Sequence, residues 1–167
     1  MNKILYAFAL AGVLGLSSCS DFLDQTSPSE MTAENTYASP YYTNLRVNKL
    51  YGGMAQDRTY AQDLSIVWNL NSDCELIDGL GSNATNTSSE RGNMNYNMDP
   101  GWSKISGVWD AEYGIIEDAN QIIEGIRSSA TLTAGGANQK SMERSLGEAL
   151  TIRAMVYFDL VRIFGDI

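Results

Sequence analysis

The chain has 167 residues, which is enough for one domain with a hydrophobic core, and its formal net charge is −9. Nucleic acid and anionic membrane surfaces are bound by clustered Lys and Arg, so the acidic composition argues against both as partners. The sequence contains no histidine, which excludes Ser-His-Asp and Cys-His catalysis and any zinc site with a histidine ligand.

The N-terminal segment has the features of a bacterial lipoprotein signal peptide. Lys3 provides a basic start, and residues 4–16 form an uncharged, mostly apolar run. This run is shorter than the roughly 20 residues that span a bilayer, but it suits the core of a signal peptide. It ends in Leu16-Ser17-Ser18-Cys19, which is similar to a lipobox, in which the cysteine is lipidated and becomes the new N-terminus.

We therefore predict a lipoprotein signal peptide over residues 1–18 and lipidation of Cys19, with the protein held to a membrane through its acyl chains. The alternative is plain secretion with an unmodified thiol. Residues 20–36 are rich in Ser, Thr, Asp and Glu, a composition typical of a linker. We assign residues 19–38 to a lipid-anchored tether.

The first helix of the body is predicted to begin at Ser39-Pro40, because a capping side chain followed by proline is typical of a helix start. A loose helical spacing continues over residues 40–61, with a possible kink at Gly52-Gly53. Residues 64–70 are a short apolar segment, and either a strand or a buried coil fits it.

Residues 71–100 have no regular periodicity and are rich in Asn, Gly and Ser. A long loop in a compact domain is either functional or without fixed structure. Asp73, Asp78, Asn93 and Tyr96 are side chains that would hydrogen-bond to hydroxyl groups and stack on a sugar ring, so we predict that they bind a polar ligand. A solvated loop whose side chains satisfy only its own turns is the alternative.

The second half of the chain predicts two long helices. Apolar residues at helical spacing indicate a helix over residues 102–127, and Asn120 must be hydrogen-bonded if it is buried among them. Residues 128–136 are a linker of small and polar residues. A final helix ends at Gly165, because glycine tolerates the left-handed conformation in which helices commonly end. The apolar faces of the two helices can cover each other in a helical hairpin.

For each helix the periodicity indicates which residues face the core. In the helix over residues 102–127 these are Trp102, Ile105, Trp109, Tyr113, Ile116, Ala119, Ile123 and Ile126. In the final helix they are Leu146, Leu150, Ala154, Tyr157, Val161 and Phe164. An aromatic stripe at this spacing is core more often than a ligand platform.

Several motifs, in this order, resemble the N-terminal part of the SusD/RagB family of surface nutrient-binding lipoproteins. They are Cys19, then Asp21-Phe22-Leu23-Asp24, then Trp109-x3-Tyr113-x2-Ile116-x2-Ala119-Asn120-x-Ile122-Ile123, and then Gly147-Glu148-Ala149-x3-Arg153-Ala154-x2-Tyr157-Phe158-x-Leu160-Val161-x2-Phe164-Gly165. The resemblance covers the chain from Cys19 to Ile167.

This resemblance implies a mainly α fold of tetratricopeptide-like helical pairs with a long irregular loop. Residues 39–167 would be the N-terminal part of a SusD-like nutrient-binding domain, incomplete at its C-terminus, because family members are much longer. Helix pairs of this kind depend on their neighbours for a continuous core, so apolar surface is expected to stay uncovered. The family's sugar site draws partly on the loop after a position resembling Asp73. Leu76 and Ile77 stand where the starch-binding member has an aromatic residue, which leaves the glycan open.

In function, the resemblance implies a lipoprotein anchored in the outer membrane and facing the cell surface. It would bind glycans or other nutrients and deliver them to a TonB-dependent, SusC-like transporter, without enzymatic activity, cofactor or metal. A second hypothesis is a truncated fragment with only a structural or transporter-interaction role. A third is a glycosidase that uses two carboxylates from the loop, for which Asp73, Glu75 and Asp78 are the candidates, but acidic loop residues are ordinarily only solvated.

Overall fold

The computed structural model describes residues 31–69, 72–73 and 101–167, and those from Ala33 onward belong to one compact unit. In this part of the chain the regular structure is helical and contains no strand, so the predicted mainly α fold is confirmed. The helices are α1 (Ala33–Ala38), α2 (Pro40–Met54), α3 (Asp63–Asn69), α4 (Ser103–Ser128) and α5 (Gly136–Phe164), with a 3-10 helix at Ala130–Thr133 between α4 and α5.

The main hydrophobic core lies where α2, α4 and α5 meet. Its buried side chains include Val47 and Leu50 from α2, five isoleucines from α4, and Met142, Ile152, Val156 and Leu160 from α5. The α4 isoleucines are Ile115, Ile116, Ile122, Ile123 and Ile126. Each fully buried aliphatic side chain contributes about 1.5–3 kcal/mol relative to exposure, so this isoleucine stripe anchors the other two helices on α4.

Helix α2 starts at Pro40 as predicted, but it ends at Met54 rather than near residue 61, and it continues through Gly52 and Gly53. Its C-terminal end is capped by Thr59, which is fully buried. The Thr59 hydroxyl lies 2.7 Å from the carbonyl oxygen of Met54 and 2.9 Å from that of Gly53. The chain therefore turns back over the helix end, because this side chain satisfies carbonyls that another helical turn would have paired.

The apolar segment after this turn is a helix, so the prediction of a strand or buried coil was wrong. Helix α3 buries Leu64 and Val67 in a second hydrophobic cluster with Trp102 and Val108 from the start of α4. Seven residues are too few for a stable isolated helix. Its conformation is therefore set by packing against α4, which the local sequence does not reveal.

Helix α4 matches the predicted helix closely, with Ile116, Ile123 and Ile126 buried as expected. Two members of the predicted stripe lie at its edge instead, because Trp109 is 38% exposed and Tyr113 is only half-buried. Asn120 is exposed rather than buried. Its side chain nonetheless accepts a hydrogen bond from Arg153 of α5.

Helix α5 ends at Phe164, and Gly165 follows with φ 85°, as predicted. Its predicted core face was half right, because Leu146, Leu150 and Phe164 pack against the core whereas Ala154, Tyr157 and Val161 are exposed. The residues that face the core are Met142, Ser145, Ala149, Ile152, Val156, Asp159 and Leu160. Two of these are polar, so a search for the most apolar stripe selects a neighbouring face of the same helix.

Helix α1 and the 3-10 helix lie against each other at the end of α4. Residues 33–38, which we assigned to the end of the tether, form a helix that buries Thr36 and Tyr37. The hydroxyl of Ser129 donates to the Tyr37 carbonyl at 2.6 Å, and that of Thr131 donates to the Ala38 carbonyl at 2.9 Å. The predicted linker therefore contains ordered structure that holds α1 in place.

Candidate functional site

The structure describes one of the predicted ligand-binding residues. Asp73 is exposed and follows α3 by four residues. Asp78, Asn93 and Tyr96 lie outside the described residues, as does the predicted lipidation site Cys19. A shared binding site formed by the four loop residues therefore stays a prediction.

A groove runs along the solvent side of α4 and is bordered on one side by Tyr157 of α5. Its volume is about 670 Å³, within the range of sites that hold small ligands. We name it the α4 groove and define it by its described lining residues. These are Trp109, Asp110, Tyr113, Gly114, Ile116, Glu117, Asn120, Gln121, Glu124 and Tyr157.

Gly114 lines the α4 groove, and the space beside it is open. A Cβ atom added at this position would meet no other atom within 4 Å. On its other side Gly114 also lines a second cavity of about 470 Å³ between α2 and α4, which includes Gly52 and Gly53. Larger side chains at these positions would fill the space between the helices, so the glycines create the concave surface.

Aromatic rings form one wall of the groove. Trp109 and Tyr157 are 38% and 39% exposed. The Trp109 ring lies 4.6 Å from that of Tyr113 and 4.9 Å, edge to face, from that of Phe164, measured between ring centroids. These contacts limit rotation of the indole, so it offers a rigid apolar surface whose ordering costs little side-chain entropy.

Two amide side chains that line the groove are held by arginines from different neighbouring helices. Arg153 of α5 donates to the Asn120 carbonyl oxygen at 2.7 Å, and Arg46 of α2 donates to that of Gln121 at 3.2 Å. Each amide keeps its NH2 group as a donor. Aromatic faces beside fixed donors and carboxylate acceptors can stack on a ring and hydrogen-bond to its hydroxyl groups.

Two acidic residues, Glu112 of α4 and Asp159 of α5, form a buried pair. Glu112 is fully buried, and neither of its carboxylate oxygens has a hydrogen-bond partner among the described residues. Asp159 of α5 is also buried and accepts a hydrogen bond from the Tyr60 hydroxyl. Burial, assisted by the charge of Asp159, raises the pKa of Glu112 to about 8. Glu112 is therefore mostly protonated at neutral pH.

Burial also raises the pKa of Asp159, while its hydrogen bond from Tyr60 and the positive charge of Arg162 act in the opposite direction. The pKa of Tyr60 is raised as well, first by burial and then by its bond to Asp159. The phenol consequently stays protonated and keeps donating to the carboxylate. The pair lies between helices rather than in the groove, so its role is in the fold.

The groove residues were missed at the level of the sequence because Trp109, Tyr113 and Tyr157 fall at core spacing. The signal that distinguishes them is that acidic side chains, Asp110 and Glu117, lie on the same helical turns as the aromatic residues. Among the described residues there is no group of three side chains suited to hold a metal ion. Nor does this part of the chain contain a helix with the length and apolar character needed to cross a membrane.

Comparison with known proteins identifies the family. The family model SusD-like_3, described as "Starch-binding associating with outer membrane", matches residues 21–167. SusD-like protein P2 of Formosa agariphila is 28% identical over 168 residues, an alignment that covers 100% of this chain and 31% of the relative. A SusD-like protein of Bacteroides ovatus is 30% identical over 63 residues, which is 38% of this chain and 11% of that protein.

The chain thus spans less than a third of the length of the curated relatives it matches. No solved structure matches it. The family match covers the two long helices with the motifs quoted above and the segment that precedes them. The chain belongs to the SusD-like family.

Proposed function

We propose that this protein is a cell-surface lipoprotein that binds a glycan or another nutrient and delivers it to a TonB-dependent, SusC-like transporter of the outer membrane. The observation that carries the proposal is the family match over residues 21–167, whose description names starch binding and association with the outer membrane. The α4 groove supports it, because its rings, amides and carboxylates match the chemistry of a polyhydroxylated ring. Binding, rather than catalysis, is the proposed activity.

Isothermal titration calorimetry of the protein against a panel of oligosaccharides tests glycan binding. The panel contains maltoheptaose, cellohexaose, xylohexaose, oligogalacturonate and a sulfated galactan oligosaccharide. We expect saturable heat with at least one member. A folded protein, verified by circular dichroism, that produces no heat with any of them would contradict glycan binding.

The membrane anchor is proposed from the leader and Cys19. Wild-type protein expressed in a bacterium with an outer membrane should incorporate labelled palmitate and remain with the membrane fraction. The Cys19→Ser variant should lose the label and be released from that fraction, because the nucleophile for lipidation is gone. Equal labelling of both proteins would reject lipidation at Cys19.

A role limited to contact with the transporter is the second candidate, and the surface of α5 favours it. Phe158 is 60% exposed and Val161 is 46% exposed, with Met155 beside them at 40%. Exposed apolar side chains clustered on one helix are typical of protein interaction sites. Copurification of the transporter with a chain that binds no oligosaccharide would support this candidate over the first.

A further inference from the structure

We propose that the α4 groove is a carbohydrate-binding site that takes a neutral glycan and disfavours sulfated or uronic glycans. This inference rests on the proposed function, and it assigns a place and a charge preference to the ligand. It concerns a part of the chain separate from the predicted loop residues Asp73, Asp78, Asn93 and Tyr96.

The aromatic wall suits a sugar ring. Trp109 and Tyr157 each keep more than a third of their surface exposed. Pyranose rings have apolar C–H faces that pack on such rings, and rings already held in place lose little entropy on binding. The edge-to-face contact of Trp109 with Phe164 and its contact with Tyr113 provide that restraint.

The polar side chains that line the groove suit hydroxyl groups. Asn120 and Gln121 are fixed through their carbonyl oxygens by Arg153 and Arg46, which leaves their NH2 groups to donate to the ligand. Glu117 and Glu124 of the same helix add carboxylate acceptors. A sugar hydroxyl both donates and accepts, so a wall that offers both kinds of group binds it better than it binds an apolar ligand.

The charge of the groove determines which glycans it accepts. Its described lining carries three carboxylates, from Asp110, Glu117 and Glu124, and no lysine or arginine. The two arginines nearby already bond to the amides. The net charge of the whole chain, these carboxylates included, is −9. Sulfate and uronate groups would be repelled by these three carboxylates, whereas neutral hydroxyls would not.

The test is to fill the groove at Gly114 without disturbing the helix. In Gly114→Leu the new side chain enters open space, since an added Cβ meets nothing within 4 Å. Gly147→Leu is the matched control, because Gly147 is also a helical glycine with open space around its Cβ and does not line the groove. Both changes replace glycine by a better helix former, so both variants should fold at least as well as the wild type.

The readout is the dissociation constant for the neutral oligosaccharide that binds best among maltoheptaose, cellohexaose and xylohexaose. We expect Gly114→Leu to weaken binding at least tenfold and Gly147→Leu to leave it within twofold. Wild-type affinity for oligogalacturonate or the sulfated galactan oligosaccharide should be at least tenfold weaker than for the neutral ligand. Quenching of tryptophan fluorescence by the neutral ligand should be reduced in Gly114→Leu.

Failure of this inference and failure of the proposed function are distinguishable. If a neutral oligosaccharide binds equally well to wild type and Gly114→Leu, the sugar site lies elsewhere and only the inference is overturned. Preference for an acidic oligosaccharide likewise overturns the inference while glycan binding stands. If no oligosaccharide binds to the folded protein, the inference and the glycan-binding part of the proposed function are both overturned.

Discussion

At the scale of single residues, the buried pair of Glu112 and Asp159 links the fold to pH. A fully buried carboxyl group without a hydrogen-bond partner is costly when ionised, so it keeps its proton. The charged and titratable groups that act on the pair are Tyr60 of the turn after α2, which interacts with both carboxyl groups, and Arg162 of α5, which acts on Asp159. Within the pair, Asp159 acts on Glu112 in the same direction as burial does.

This pair predicts that the protein loses stability as pH rises. The pKa of Glu112 is about 8 in the folded protein against an ordinary value of 4.5. Between these values the folded state holds a proton that the unfolded chain has released. The free energy of unfolding should therefore decrease from pH 5 to pH 8, by up to about 1.4 kcal/mol per pH unit for this one group.

Glu112→Gln, a neutral side chain of the same shape, should be more stable than the wild type at pH 8, and its pH dependence should be flatter. Urea denaturation at pH 5, 6.5 and 8 measures the difference. Glu117→Gln, on the exposed side of the same helix, is the control and should keep the wild-type slope. A Glu112→Gln variant with the same pH dependence as wild type would show that Glu112 is already ionised at neutral pH.

At the scale of the elements, α1 depends on a close approach to α4. Tyr37 lies over Gly125, and a Cβ atom added to Gly125 would overlap Cδ2 of the Tyr37 ring. A helix of six residues does not form by itself. Its position is therefore determined by this contact together with the bonds from Ser129 and Thr131 to its carbonyl groups.

Gly125→Ala should destabilise the protein by about 1–3 kcal/mol, because the added methyl group displaces Tyr37 and overpacks the site. Alanine is more favourable than glycine in a helix by about 1 kcal/mol, so the cost of overpacking must be larger than this gain in helix propensity for the variant to be destabilised. Gly114→Ala in the same helix has open space and should stabilise the protein instead. Urea denaturation measures the free energy of unfolding, which should fall in Gly125→Ala and rise in Gly114→Ala. An equal increase in both variants would contradict the packing of Tyr37 on Gly125.

At the scale of the whole molecule, the excess of acidic residues acts against the compact state. The net charge of −9 produces repulsion that salt screens over a Debye length of about 10 Å at 0.1 M ionic strength. Surface ion pairs such as Lys49–Asp118, with 2.7 Å between Nζ and Oδ1, are weakened by salt as well. Each such pair contributes only about 0–1 kcal/mol.

The melting temperature should consequently rise when NaCl is increased from 0.02 to 0.3 M. A gain of about 1 kcal/mol corresponds to roughly 2–4 °C in a protein of this size. Circular dichroism melts at pH 7 over this range of NaCl concentrations measure the shift. A melting temperature that falls with salt would mean that attractive ion pairs outweigh the net repulsion.

The sequence by itself determined the helical class, the two long helices, the burial of Ile116, Ile123 and Ile126 on α4 and the end of α5 before Gly165. These features follow from periodicity and backbone conformation, which are properties of neighbouring residues. The family motifs were readable for the same reason, since they lie within single helices.

Only the tertiary structure decided which face of α5 is buried, where α2 ends and that residues 63–69 are helical. The buried face of α5 includes Asp159, which is acceptable in the core because Tyr60, 99 residues earlier in the chain, donates to it. The end of α2 depends on Thr59, and the α4 groove depends on Gly114 and on Tyr157 from another helix. Burial is decided by contacts between residues far apart in the chain, and spacing along one segment carries no information about them.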